Sequence, residues 1–197
     1  MSDYTLTLVT APTPFPIEVG AAKKWLRVDD SDSDGVIQQL IAAATDAAER
    51  FLGRQLLTAT WRVGLRRFPT GLFRLPKAPL QSITSVTYYD SANVLQTLDS
   101  ATYIADAAAD PGTIELAQSY SWPSAYERPG AVRITFVAGY ATPQLVPKGI
   151  LLALEYAIAQ AFHVDRGDGS GSGLLTAAVR AALAQHWTGC LEYGEVG

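Results

Sequence analysis

Cysteine is almost missing from this sequence. Its 197 residues hold one, Cys190, so no disulfide can form within the chain and a reducing cytoplasm is the expected setting. Charge is scarce as well. Charged residues make up 17% of the chain, against roughly 25% in an ordinary soluble domain. The shortfall points to surface that is not built purely for water, to be buried against further copies or a partner; an Ala-rich background is the plainer alternative. The net charge of −4 argues against a protein that grips nucleic acid over a broad face, which needs clustered Lys and Arg. It suits a wall that DNA slides past. No long apolar run is present: the longest, Gly149 to Phe162, is broken by Glu155 and Gln160, so no membrane partner is expected. Met1-Ser2-Asp3-Tyr4 lacks the basic start and apolar run of a signal peptide.

Chemical motifs are equally thin. His163 and His186 have no spacing that would gather three or four zinc ligands. The segment from Gly167 matches neither a dinucleotide loop nor a P-loop. Asp30-x-Asp32-x-Asp34-Gly35 is the front half of a calcium loop, but its twelfth position, which should bring a bidentate Glu, is Ile41. It therefore reads as an acidic loop capping a helix. Arg166-Gly167-Asp168 is a chance tripeptide in a glycine-rich stretch. Arg62, Arg66, Arg67 and Arg74 form a local basic cluster that would meet solvent, phosphate or an acidic partner face. No catalytic residue, metal site or cofactor is expected.

What the sequence does hold is pattern, in three stretches. Residues 1–53 begin with a short arm or strand at Tyr4 to Val9, then read as helices. One runs from Ile17 to Val28 with Val19, Ala22, Trp25 and Leu26 on one face. The next runs from Asp34 to Leu52, where Ile37, Leu40, Ile41, Ala44, Ala48, Phe51 and Leu52 make a stripe at helical spacing. Ser33 or Asp34 is expected to cap it, and Gly53 to stop it. Residues 54–145 alternate with period two, as in Trp61, Val63 and Leu65, and are punctuated by Asp90-Ser91-Ala92-Asn93 and Asp110-Pro111-Gly112. They predict a small antiparallel sheet or barrel. Residues 146–166 predict a helix with Ile150, Leu151, Leu154, Ala157, Ile158, Ala161 and Phe162 on one face, 167–173 a flexible linker, and 174–197 a last helix with a tail. Leu175, Ala178, Val179, Ala182, Leu183 and His186 share a face of that helix. The fold class expected is α+β: a helical bundle built by the N- and C-terminal helices around an inserted antiparallel β domain.

The order of these features resembles a known family. Lys23-x-x-Leu26-Arg27-Val28, the acidic loop, Leu40-Ile41-Ala42-Ala43-Ala44, Ala48-Glu49 and Gly53-Arg54 are similar to the N-terminal signature of phage head-tail connector (adaptor) proteins. Leu75-Pro76-x-x-Pro79-Leu80-x-Ser82-Ile83-x-Ser85-Val86-x-Tyr88, then Val132-x-Ile134-x-Phe136-x-Ala138-Gly139-Tyr140 and Val146-Pro147, resemble the β insertion of the larger members, found in long-tailed phages and gene transfer particles, and the return to the helices. The resemblance spans about Ile17 to Arg166. It implies a non-enzymatic subunit in a ring of twelve copies below the portal protein, extending a channel for double-stranded DNA without reading its sequence, and docking a stopper or tail-side neck protein. It would be made in a bacterial cytoplasm and reside at the capsid-tail junction.

On that reading, Ile37, Ile41, Phe51, Leu154 and Ile158 are candidates for the contact between subunits. Leu175, Val179, Leu183, Trp187, Leu191 and Tyr193 are candidates for portal docking. Another neck or tail-completion protein is the alternative. A small hydrolase or metal-dependent enzyme using Cys190, a histidine or the acidic loop is the third.

Overall fold

The computed structural model describes residues 4–164 and 174–187. Four helices and two antiparallel sheets fall into two units.

One unit comprises residues 12–57 and 140–187 and carries the helices. Helix α1 (Val19–Leu26) ends where Arg27 turns left-handed at φ 57°, with the Val28 amide closing back on the Lys23 carbonyl at 3.1 Å. Helix α2 (Asp34–Leu52) ends at Gly53, φ 66°, where a residue without Cβ turns the chain at no steric cost. Ile37, Ile41, Ala44, Ala48 and Leu52 of α2 are fully buried, at the three- and four-residue spacing of one helix face. Helix α3 (Lys148–Val164) buries Ile150, Ala153, Leu154, Ala157, Ile158 and Phe162 in the same core. Alanines on both α2 and α3 let their backbones approach closely. Helix α4 (Ala177–Ala184) adds Val179 and Leu183, one turn apart. The Thr176 hydroxyl reaches the Gln160 amide oxygen of α3 at 3.1 Å.

Three local expectations differ from what is found. The helical spacing predicts Trp25 on the buried face of α1, but the residue is 46% exposed; eight residues give α1 room for only Ala22 and Leu26 in the core. Neither Ser33 nor Asp34 caps α2 through its side chain. Asp34 instead takes the Lys23 ammonium of α1 at 2.6 Å, which ties the two helices and still leaves a negative charge at the positive end of α2. On α4, Ala178 and Ala182 are exposed, so only a narrow stripe of that helix is buried.

The other unit comprises residues 4–11 and 58–139. Its larger sheet has strand order β1 (Tyr4–Thr10), β2 (Ala59–Leu65), β8 (Val132–Ala138), β4 (Leu80–Tyr89), β5 (Leu95–Thr97). The smaller has order β3 (Phe73–Arg74), β7 (Thr113–Leu116), β6 (Tyr103–Asp106). Two sheets thus stand where one sheet or barrel was expected, and Tyr4–Thr10 is the edge strand of the larger one. β8 lies at the centre, and its alternate residues Val132, Ile134, Phe136 and Ala138 are buried, as period-two geometry requires. β2 pairs with it without a break from Ala59↔Ala138 to Leu65↔Val132, while β4 pairs with two register shifts. Gly112, after the cis Asp110–Pro111 bond, allows a close approach: a Cβ there would overlap the Leu80 side chain. A second core gathers Val63, Leu65, Phe68, Leu75, Val86 and Ile114 with the β8 residues. Phe68 stacks on Trp122 at 4.8 Å, and the Trp122 indole donates to the Pro69 carbonyl at 2.9 Å.

Candidate assembly interfaces

The residues proposed from sequence for the contact between subunits lie mostly inside. Ile37 and Ile41 are 0% exposed, and Leu154 and Ile158 are buried beside them. Their side chains fill this chain's own core. Phe51 is half-buried against the same core. The physical reason is general: a helix stripe is covered first by its own domain.

The portal-docking candidates divide in the same way. Val179 and Leu183 are buried, and Leu175 packs against them half-covered. Trp187 is half-exposed. Leu191 and Tyr193 lie outside the described residues, as do Cys190 and the linker 167–173. The end of α4 is held in place: Arg54, itself buried, donates Nε to the His186 carbonyl at 2.7 Å. The His186 ring lies over Gly149, where an added Cβ would stand 2.7 Å from Nε2.

A surface that the sequence pattern did not single out lies on α1 and α3. The Trp25 and Tyr156 rings meet edge to face, centroids 5.9 Å apart at 89°. Leu152, four residues before Tyr156, shares its side of α3 and is also exposed. Half-exposed aromatics on a rigid helix pair are the kind of group that dominates interface energetics. The signal was available: Leu152 and Tyr156 are apolar residues off the buried stripe of α3.

No cluster of three metal-ligating side chains exists among the described residues. In the acidic loop, Asp34 is neutralised by Lys23 and Asp30 accepts the Ser33 amide at 3.2 Å. A cleft of about 150 Å³ lies between Pro12, Pro14, Phe15 and Pro16 and helix α2. Its carboxylates are engaged: Asp46 pairs with Arg50 at 2.6 Å, and Glu49 accepts the Gln55 amide group and the Leu56 N–H at 2.7 and 2.8 Å. No helix among the described residues is long and apolar enough to cross a membrane.

Residues 16–109 match the phage gp6-like head-tail connector protein family. The match overlaps the first part of the stretch, about Ile17 to Arg166, over which the sequence resembles head-tail connectors. Likeness of fold to solved structures extends over nearly the whole chain. The chain is similar to one from the neck of an empty GTA particle computed with C6 symmetry, with TM-score 0.77, 22% identity, and coverage of 96% of this chain and 98% of that one. It is similar to a chain of the virion of a native gene transfer agent (GTA) particle, with TM-score 0.76, 23% identity and the same coverage. It is also similar to a chain from the neck of a native GTA particle computed with C12 symmetry, at TM-score 0.67 and 22% identity, again with that coverage. No curated protein matches the chain.

Proposed function

We propose that this chain is a structural subunit of the virion neck: a head-tail connector that closes into a ring under the portal, extends the DNA channel and joins the capsid to the next neck or tail component. The connector-family match over residues 16–109 carries the reading. The similarity over nearly the whole chain to neck chains from particles with C6 and C12 symmetry supports it and favours a twelve-membered ring. The helices α1 to α4, which share one core, act as the bundle. The segment from residue 174 onward serves the portal through Trp187, Leu191 and Tyr193, because Val179 and Leu183 are already buried. With a net charge of −4, the ring lets double-stranded DNA pass rather than holding it. Assembly would take place in a bacterial cytoplasm, and no cofactor is needed.

The test is removal. Particles made without this chain should accumulate finished heads and tails that do not join, seen by electron microscopy, and supplying the chain should restore joining. Joined particles in its absence would reject the reading. Replacing Trp187, Leu191 and Tyr193 with alanine should leave subunits that fold, because Val179 and Leu183 stay in the core, but that fail to engage the portal.

A further inference from the structure

We propose that neighbouring copies join through the two free edges of the larger sheet, with β5 of one copy running alongside β1 of the next. The inference rests on the ring reading and adds the contact that makes the ring.

The sheet has five strands, and every pair in it is antiparallel. An odd number of alternating strands leaves the two outermost, β1 and β5, running the same way. Copies related by a small rotation about a ring axis therefore bring β5 beside β1 as a parallel pair. No strand among the described residues pairs with the outer edge of either. The ladder fixes which backbone groups face outward. The Tyr89 amide donates to the Ala131 carbonyl and the Gly139 amide to the Pro79 carbonyl, both at 2.9 Å, so the odd-numbered residues of β8 bond to β4 and the even-numbered ones to β2. Alternation carried through β2 turns Thr5 and Thr7 towards β2 and leaves the N–H and C=O of Leu6 and Leu8 pointing away from the sheet. At the other edge the Leu98 amide donates to the Val86 carbonyl at 2.8 Å and the Asp90 amide to the Val94 carbonyl at 2.9 Å, which turns Leu95 and Thr97 outward. A parallel strand holds a residue of its neighbour through the two residues flanking the one opposite. Leu95 and Thr97 are such a pair: with Gln96 alongside Leu8 of the next copy, the Leu8 N–H donates to the Leu95 carbonyl and the Thr97 N–H to the Leu8 carbonyl.

Neither edge carries the charge or proline that keeps exposed strands apart. β1 reads Tyr-Thr-Leu-Thr-Leu-Val-Thr and β5 reads Leu-Gln-Thr. Both expose apolar side chains, Leu8 and Val9 on β1, Leu95 on β5 and Val94 just before it. Within one copy the register sets Gln96 level with Tyr4, through Tyr88, Val132 and Leu65. Placing it beside Leu8 of the next copy staggers neighbours by four residues, about 13 Å over a five-strand repeat of about 24 Å. Closing a sheet on itself requires a stagger of this kind. The same offset sets Val94 diagonally across from Leu8 on one face. Two different edges give the heterologous contact that closes rings. β1 against β1, antiparallel, would give a two-fold dimer instead.

The experiment uses the full-length chain carrying Cys190→Ser, which removes its one thiol. In analytical ultracentrifugation it should form closed oligomers. Leu8→Pro deletes an outward N–H and no ladder bond, so it should keep the parent's circular dichroism and weaken self-association by about tenfold or more. Thr7→Pro deletes a bond to β2 and should instead lower stability. A cross-link gives a readout that does not depend on a proline variant folding. Thr7→Cys and Leu95→Cys, made in separate chains and mixed, should be bridged into covalent dimers by a short bis-maleimide, and neither should be bridged alone. Bridging of Thr7→Cys to itself would show β1 against β1, and oligomers untouched by Leu8→Pro would show a contact elsewhere. Either result would overturn the edge pairing and leave the ring reading standing. A chain that stays monomeric at every concentration would also overturn the pairing, since these edges then do not suffice to hold neighbours, and the ring reading would be decided by the joining of heads and tails.

Discussion

The Trp25 indole stands edge-on to the Tyr156 ring, joining α1 to α3 at the surface of the helical unit. Such a pair contributes about 0.5–1.5 kcal/mol beyond the area it covers. Urea unfolding of Trp25→Ala, Tyr156→Ala and the double variant should therefore give a coupling energy in that range. Additive losses would mean that the rings merely lie near each other. Both single variants should stay folded, because the core beneath is built by Ala22, Leu26, Ala153 and Leu154.

Ile41 separates a core role from an interface role. It is fully buried, so Ile41→Ala should cost about 2–5 kcal/mol in the isolated chain. Phe51→Ala should cost less, since its ring is half-covered. A residue reserved for a neighbouring copy would instead leave the isolated chain's denaturation midpoint unchanged.

What a stripe reports, and what it does not, is visible in these same residues. Helical periodicity located α2, Asp34–Leu52, and named Ile37, Ile41 and Leu52, because a period of 3.6 is a local property of the chain. What covers a stripe depends on residues about a hundred positions away, here Ile150 to Phe162, and no local pattern reports that. The edge pairing of Tyr4–Thr10 with β2 was illegible for the same reason, as was the division into two sheets. Turns were legible: Asp90 to Asn93 is closed by the Asn93 amide on the Asp90 carbonyl at 2.8 Å, as its composition suggests. The exposed Trp25 was misjudged because α1 is too short for its spacing to choose between two faces.

Gly112 is needed for room. A side chain there would overlap Leu80 at its Cβ, the part of that residue that no rotamer moves. Gly112→Ala should lower stability by about 1–3 kcal/mol, read from the thermal midpoint. Adding Leu80→Ala should not restore it, since the clashing Cβ remains. Recovery in the double variant would show that only the outer part of Leu80 was in the way.

Asp90 makes the β4–β5 turn sensitive to acid. The Val94 amide at 2.9 Å, the Gln96 side chain at 2.8 Å and the Ala92 amide at 3.0 Å donate to its carboxylate and hold its carboxyl below the ordinary value. A folded-state value below the unfolded one contributes stability above the unfolded value, about pH 3.9, and that contribution is lost as pH falls through the folded value. The Asp90 carboxyl carbon should therefore titrate by NMR below an unstructured aspartate. The Val94 amide should exchange faster once the group is protonated. Asp90→Ala should show the fast exchange already at neutral pH.

Arg54 fastens the end of α4. It is buried just past α2, and its Nε–H reaches the His186 carbonyl 132 residues on, at a helix end where carbonyls lack intrahelical donors. Lysine keeps the charge but not the planar fork that sets this direction. Arg54→Lys should raise hydrogen exchange through Ala177–Ala184, with an opening free energy lower by about 1.5–3 kcal/mol, the range for a hydrogen bond to a charged group. The amides of Ile37 to Ala48 should stay protected, because their core does not include this contact. Uniform loss of protection across both helices would instead show that Arg54 supports the whole unit, and that the C-terminal segment has no separate fastening to release when a partner binds.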